Sequence, residues 1–249
     1  MKYTVEVCTY TIEDIKAAKE AGAERVEICA DPDAGGTTPS YGLIEYVVDV
    51  VGIDAAVMIR PRGGDFVYSP EELEIMERDI LRSAQAGAKA VVFGVLTNSG
   101  HLDLVAMKRL IAVAKEHGLE VTCHRAFDVS PDPHRFVQEL VDLGVDRLLT
   151  SGQKPRAIEG LELLGELQKA VGGKLSIMPA VEITSENVEK LLDLGVTEVH
   201  TRNVETVTSA MERGANIVMG HDDYDETTRV RIDLAETRRI VEIVKRREG

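Results

Sequence analysis

Basic residues are in short supply here: 29 lysines and arginines face 43 aspartates and glutamates, a formal net charge of -14. A partner gripped through its phosphates needs the opposite balance, so no nucleic-acid partner is expected. Long apolar runs are also missing. No stretch approaches the ~20 residues that cross a bilayer, and the opening MKYTVEVCTYTIEDIK has neither an apolar leader core nor a small-residue cleavage site. The expectation is a cytoplasmic protein with no membrane partner. Cysteine occurs only at Cys8, Cys29 and Cys123, an odd count without a C-x-x-C, which argues against a disulfide framework or a zinc knuckle. Tryptophan is absent, and four phenylalanines and six tyrosines are the only aromatic residues.

What the chain does have is a repeat. Helical patterns finish at a glycine that is followed at once by an apolar strand: AGAERVEIC at Gly22, AGAKAVVFGV at Gly87, HGLEVTCHR at Gly118, LGVDRLLTSG at Gly144 and LGVTEVHT at Gly195. Glycine enters the left-handed conformation that ends a helix at little cost, so each marks a helix end feeding a strand. Strands are expected near Thr4–Cys8, Arg25–Cys29, Ala55–Arg60, Ala90–Val95, Glu120–His124, Arg147–Thr150, Leu175–Met178 and Glu198–Thr201. Helices are expected at about 11–21, 40–50, 70–86, 103–117, 133–143, 156–171, 184–194 and 232–247. Eight βα units in 249 residues predict one (β/α)8 TIM barrel spanning 1–249, with 202–231 as a long extension before the last helix. A doubly wound sheet is the rival, but the first strand runs into Cys8-Thr9-Tyr10-Thr11 rather than a G-x-G-x-x-G turn.

Barrels place their chemistry at the C-terminal ends of the strands, and here those ends are polar. Side chains alternate along a strand, so Glu6 shares a face with Cys8, and Glu27 with Cys29. A carboxylate inside a parallel barrel needs a partner, and Arg60 on the third strand is the expected one. His124, Arg125 and Asp128 follow in CHRAFD, and Thr150, Ser151 and His200 stand at later strand ends. Glu27, His124 and Asp128 are the candidate catalytic groups, with Arg60, Arg62, Asp65, Ser151 and His200 as ligand contacts. Ser151 lacks a G-x-S-x-G elbow, which favours a loop or cap role. Cys8 and Cys29 occupy matching positions on adjacent strands, where two thiolates suit one soft ion such as Cu(I).

The densest polar stretch is MIRPRGGDFVYSPEEL, Met58–Leu73, where Pro61 ends strand pairing and Ser69-Pro70 opens a helix. Together with VEIC (Val26–Cys29), GGTTPS (Gly35–Ser40), CHRAFD (Cys123–Asp128), LTSGQ (Leu149–Gln153) and EVHT (Glu198–Thr201), it resembles the copper homeostasis protein CutC family. The resemblance implies a TIM barrel, a cytoplasmic homo-oligomer (dimer or tetramer) and Cu(I) handling through Cys8 and Cys29. The polar cluster of Glu27, Arg60, Arg62, Asp65, His124 and Asp128 points elsewhere, to an enzyme acting on a small anionic metabolite. Relatives commonly carry a glycine-rich run after the seventh strand. Here Pro179-Ala180-Val181-Glu182-Ile183 replaces it, and Glu182 is expected to repel a phosphate.

Overall fold

Local signals set the first βα unit. Strand β1 (Thr4–Thr9) passes directly into α1 (Ile12–Ala21), because Thr11 accepts a hydrogen bond from the Asp14 N–H and caps the helix. Gly22, at φ 91°, then turns the chain into β2 (Arg25–Ile28). The unit recurs through α2 (Tyr41–Tyr46), β3 (Asp54–Met58), α3 (Pro70–Gln85), β4 (Ala90–Phe93), α4 (Leu104–Glu116), β5 (Glu120–Cys123), α5 (Pro133–Asp142), β6 (Arg147–Thr150), α6 (Leu161–Val171), β7 (Ser176–Pro179), α7 (Val188–Leu192) and β8 (Glu198–Thr201). Two further strands, β9 (Val204–Thr208) and β10 (Thr228–Ile232), precede α8 (Leu234–Arg246). This computed structural model describes residues 2–210, 225 and 227–248.

The eight strands form one parallel sheet in the order β7-β6-β5-β4-β3-β2-β1-β8. A parallel bridge between Ala180 and His200 brings the two sheet edges together and closes the barrel. Alternation along each strand sorts the side chains. Val5, Val7, Val26, Ile28, Val57 and Phe93 join the large core between the strands and the helices. The opposite parity, Cys8, Ala56, Met58, Ala90 and Val92, forms a small cluster inside the barrel together with Cys29. Burying each large apolar side chain in the outer layer contributes roughly 1.5–3 kcal/mol, so that layer dominates the stability.

The barrel interior also holds ions. Register sets Glu6 beside Arg25 on β2 and beside His200 on β8. Arg25 bonds Glu6 through Nε and reaches Glu198 at 2.6 Å, and Arg147 Nε meets the same Glu198 carboxylate at 2.8 Å. The expected partnership of Glu6 with Arg60 is therefore corrected. A neighbour one strand away satisfies the carboxylate deep in the barrel, because β-register brings Arg25 level with it.

Several elements differ from expectation in extent: α6 begins at Leu161 rather than 156, behind a short turn at Ala157–Glu159, and α7 covers only Val188–Leu192 of the expected 184–194. The helix expected over 40–50 is α-helical only to Tyr46 and widens into a π turn over Val47–Val51 that stops at Gly52. The extension expected over 202–231 contains β9 and β10, which pair antiparallel from Val204↔Ile232 to Thr208↔Thr228. Its stretch 211–224, with residue 226, lies outside the described residues.

Candidate functional site

A cavity of about 470 Å³ opens at the C-terminal ends of the strands. One of its walls is soft. β1 contributes Cys8, and register places Glu27 of β2 directly alongside it, with Cys29 just past the end of β2. The sulfurs of Cys8 and Cys29 and a carboxylate oxygen of Glu27 all lie within 4.8 Å of one another, and all three residues are buried. The expectation that the two cysteines occupy matching positions is thus corrected, because register sets Cys8 level with Glu27. They meet because Cys29 continues the inward parity beyond Glu27. Met58, from the neighbouring β3, packs in the same cluster.

The charges on this wall are interlocked. The Cys29 thiol bonds Cys8 and holds the Cys8 pKa well below its usual value; burial opposes this and His200 adds to it. The same bond, with burial, pushes Cys29 well up. Burial, then the charge on Cys8, pushes Glu27 well up. Burial would lower His200, but Glu27, Cys8 and Glu6 outweigh it and raise its pKa. His200 Nδ1 lies 2.7 Å from Glu6 Oε1, and its Nε2 faces Glu27 at 3.7 Å. The neighbours therefore favour the charged forms of Cys8 and His200 and the neutral forms of Cys29 and Glu27, with Glu6 orienting the His200 ring from behind.

The opposite wall is built from the loops after β3 and β5. Arg60 is 5% exposed, and its terminal nitrogens donate to three carbonyls: Ala34 at 2.7 Å, Gly36 at 3.0 Å and Gly64 at 2.7 Å. Arg60 therefore does not fork onto Glu27 as expected. The backbone of two loops folds around it instead, and Phe66 lies beneath the guanidinium at 5.0 Å. His124 is 4% exposed and packs at a tilt against the same Phe66 ring, with centroids 4.8 Å apart. Its Nδ1 accepts from the Ala126 N–H at 3.2 Å. Burial first, then the nearby Arg60, pushes its pKa down to about 3. His124 thus stands neutral with its hydrogen on Nε2. Three buried polar atoms of cavity-lining residues lack a protein partner among the described residues: Glu27 Oε1, Arg60 Nε and His124 Nε2.

Other candidates lie elsewhere. Arg62 bonds Glu72 at 2.6 Å and Asp65 at 3.1 Å, so both charges of that pair serve to hold the loop. Asp128 accepts from Thr150 Oγ1, from the backbone N–H groups of Ser151 and Gln153, and from Arg125 at 2.7 Å. That pattern fixes the turn after β6. Ser151 donates to Lys154 O and Asp128, which matches the loop role expected for it. Neither Asp128 nor Ser151 lines the cavity. Tyr10, Phe66 and Arg202 do line it, with the Arg202 guanidinium 4.8 Å above the Tyr10 ring. Nothing local in the sequence marks these three, although their positions just past strand ends were a usable signal.

Comparison with known proteins agrees with this geometry. A chain from Pasteurella multocida, named a family protein CutC, is 41% identical over 237 residues, covering 95% of this chain and 96% of its own. A human chain named copper homeostasis protein cutC homolog is 41% identical over 220 residues, covering 88% and 80%. A crystal structure from Streptococcus agalactiae, described as a copper homeostasis protein CutC, matches with a TM-score of 0.75 at 37% identity over 80% of this chain and 97% of its own. The CutC family model aligns with residues 3–205, which takes in β1 through β8 and both walls of the cavity; the chain belongs to the CutC family.

Proposed function

We propose that the protein takes Cu(I) as cargo at Cys8 and Cys29 and thereby serves copper homeostasis. The carrying observation is the meeting of two sulfurs and a carboxylate within 4.8 Å in the wall of an open cavity. Two thiolates suit a soft monovalent ion, and the Met58 thioether packed beside them adds to that softness. Thiolate ligation releases thiol protons, and the neighbours favour ionisation of Cys8 while they oppose it at Cys29. The human relative's name supports the same role. This reading sets the protein in the cytoplasm, where thiols stay reduced, as a single domain over 1–249 in a dimer or tetramer. Light scattering on the purified protein measures the assembly. Anaerobic Cu(I) competition against a chromophoric chelator tests the site. Equal affinity in wild type and in the Cys8→Ser, Cys29→Ser double variant removes the proposal.

A second reading has its own observation. Glu27 Oε1, Arg60 Nε and His124 Nε2 are buried and unpartnered among the described residues, and all three belong to residues that line one cavity, which favours an enzyme acting on a small anionic metabolite. Arg60 holds the anion and Glu27 exchanges a proton with it. Arg62 and Asp65, bound to each other, shape the loop. A thermal-shift screen of anionic metabolites tests it, and hits that all survive Arg60→Ala rule out the site.

A further inference from the structure

Arg60 carries a full positive charge into a site where only 5% of the residue meets solvent. Every hydrogen bond it makes goes to an uncharged carbonyl, and its other neighbour is the face of Phe66. Asp65 feels its charge but is bonded to Arg62. Burying a cation without an ionic partner is expensive, so the site is incomplete as the protein alone builds it.

Among the described residues, Nε is the one guanidinium nitrogen of Arg60 that has no protein partner. His124 supplies a second such donor. Because its Nδ1 accepts the Ala126 N–H, its hydrogen sits on Nε2, and that N–H is likewise buried without a partner. Both groups contact the same phenylalanine ring, the Arg60 guanidinium carbon at 5.0 Å and the His124 ring at 4.8 Å from its centroid. One permanent cation and one neutral donor add up to a single unmatched positive charge with two N–H groups.

The rest of the cavity limits what can answer it. Arg125 is paired with Asp128, and Arg202 is exposed over Tyr10, so neither adds a buried charge. His200 is matched by Glu6. Glu27 and Glu182 line the wall and oppose a second negative charge on a ligand, although Glu182 is partly answered by Arg156 at 3.0 Å. Met58, Phe66, Leu149, Ala180 and Val181 supply apolar surface around the donors. Two donors, one charge and apolar walls describe a carboxylate on a small apolar body better than a phosphate dianion, which asks for more donors and more charge.

From this juxtaposition we propose that Arg60 Nε–H and His124 Nε2–H form a carboxylate-binding subsite for a small monocarboxylic acid, with Phe66 as its floor. The inference rests on the small-anion reading above and narrows its ligand class. It also assigns His124 a fixed hydrogen bond donated to the ligand rather than a proton exchange with it.

Calorimetric titration of the full-length protein with pyruvate, its uncharged methyl ester and inorganic phosphate tests the proposal. Pyruvate is expected to bind with a Kd below about 1 mM, and the ester and phosphate at least about tenfold more weakly. His124→Asn retains an acceptor for the Ala126 N–H and removes the Nε2 donor, so it is expected to weaken pyruvate binding by about tenfold or more. Histidine-ring NMR provides a readout that a merely structural role does not move: the His124 Nε2–H resonance belongs to a neutral tautomer and shifts when pyruvate is added. Phosphate binding as tightly as pyruvate, with loss in His124→Asn, overturns the monocarboxylate assignment and leaves the small-anion reading standing. Absence of binding by either anion overturns both. Pyruvate affinity unchanged in folded His124→Asn, or equal affinity for the ester, overturns the subsite.

Discussion

Replacing Glu6 with glutamine removes a charge from the most enclosed ion cluster in the barrel. Glu6 has no solvent exposure, bonds Arg25 Nε through one oxygen and lies 2.7 Å from His200 Nδ1 through the other. Breaking one partner out of a buried pair costs about 3–5 kcal/mol, because the remaining charges stay buried. Arg25 keeps Glu198 at 2.6 Å, so the lower end, about 3 kcal/mol, is expected. For a chain of this size that corresponds to a fall in Tm of roughly 6–12 °C. The pH dependence has a definite sign. Burial acts against ionisation of Glu6, but Arg25 and then His200 outweigh it and hold its carboxyl well below the ordinary value of 4.5. A depressed carboxyl contributes stability above its unfolded pKa and loses it as pH falls through the folded one. The gap between wild type and Glu6→Gln is therefore full above 4.5 and shrinks as the pH is lowered below it. Urea unfolding of both proteins between about pH 3 and pH 6 measures the gap. A gap under about 1 kcal/mol near pH 6, or one that widens on acidification, refutes the assignment of Glu6 as the paired anion of the barrel.

The barrel was legible because its signals are local. Gly22, Gly87, Gly118, Gly144 and Gly195 each take positive φ where a helix or its turn meets a strand, so the punctuation read from the sequence is the punctuation of the fold. Parity along the strands was legible for the same reason, and it set Glu6 with Cys8 and Glu27 with Cys29 on shared faces. Partnerships across strands were not legible, because they depend on register. Nothing within β1 or β2 says that Glu6 lies level with Arg25 and His200, so Arg60 looked like the available cation. The true surroundings of Arg60 are backbone carbonyls of two loops, and a carbonyl has no sequence signature. Asp128 and Ser151 show the opposite case. Their residue types suggest chemistry, but the turn after β6 uses their hydrogen-bonding capacity. The hairpin of β9 and β10 was read only as length, since exposed polar strands carry little apolar alternation.

Other perturbations check the remaining geometry. A Cβ on Gly160 would stand 2.2 Å from the Ser151 carbonyl oxygen, so Gly160→Ala is expected to cost at least about 2 kcal/mol in denaturant unfolding; a loss below about 0.5 kcal/mol contradicts that packing. Among the thiols, Cys8 is expected to react first with iodoacetamide as pH is raised, and Cys123, buried and with its pKa pushed up by that burial, last; peptide mass spectrometry showing Cys123 labelled ahead of Cys8 refutes the charge pattern. Val181 and Glu182 sit at φ 83° and 52°, where glycine would pay no steric cost. A β-branched residue at positive φ stores about 1–3 kcal/mol of strain, whereas glycine there loses about 0.4–1 kcal/mol through the freer unfolded chain. Val181→Gly is therefore expected to stabilise the protein by roughly 1 kcal/mol, a rise in Tm of about 2–4 °C. Val181 lines the cavity and packs against the cluster of Leu149, Met178 and Ala180, a contact that offsets part of the strain. A fall in Tm for Val181→Gly shows that the side chain contributes more packing than its backbone conformation costs, and the argument from strain then fails.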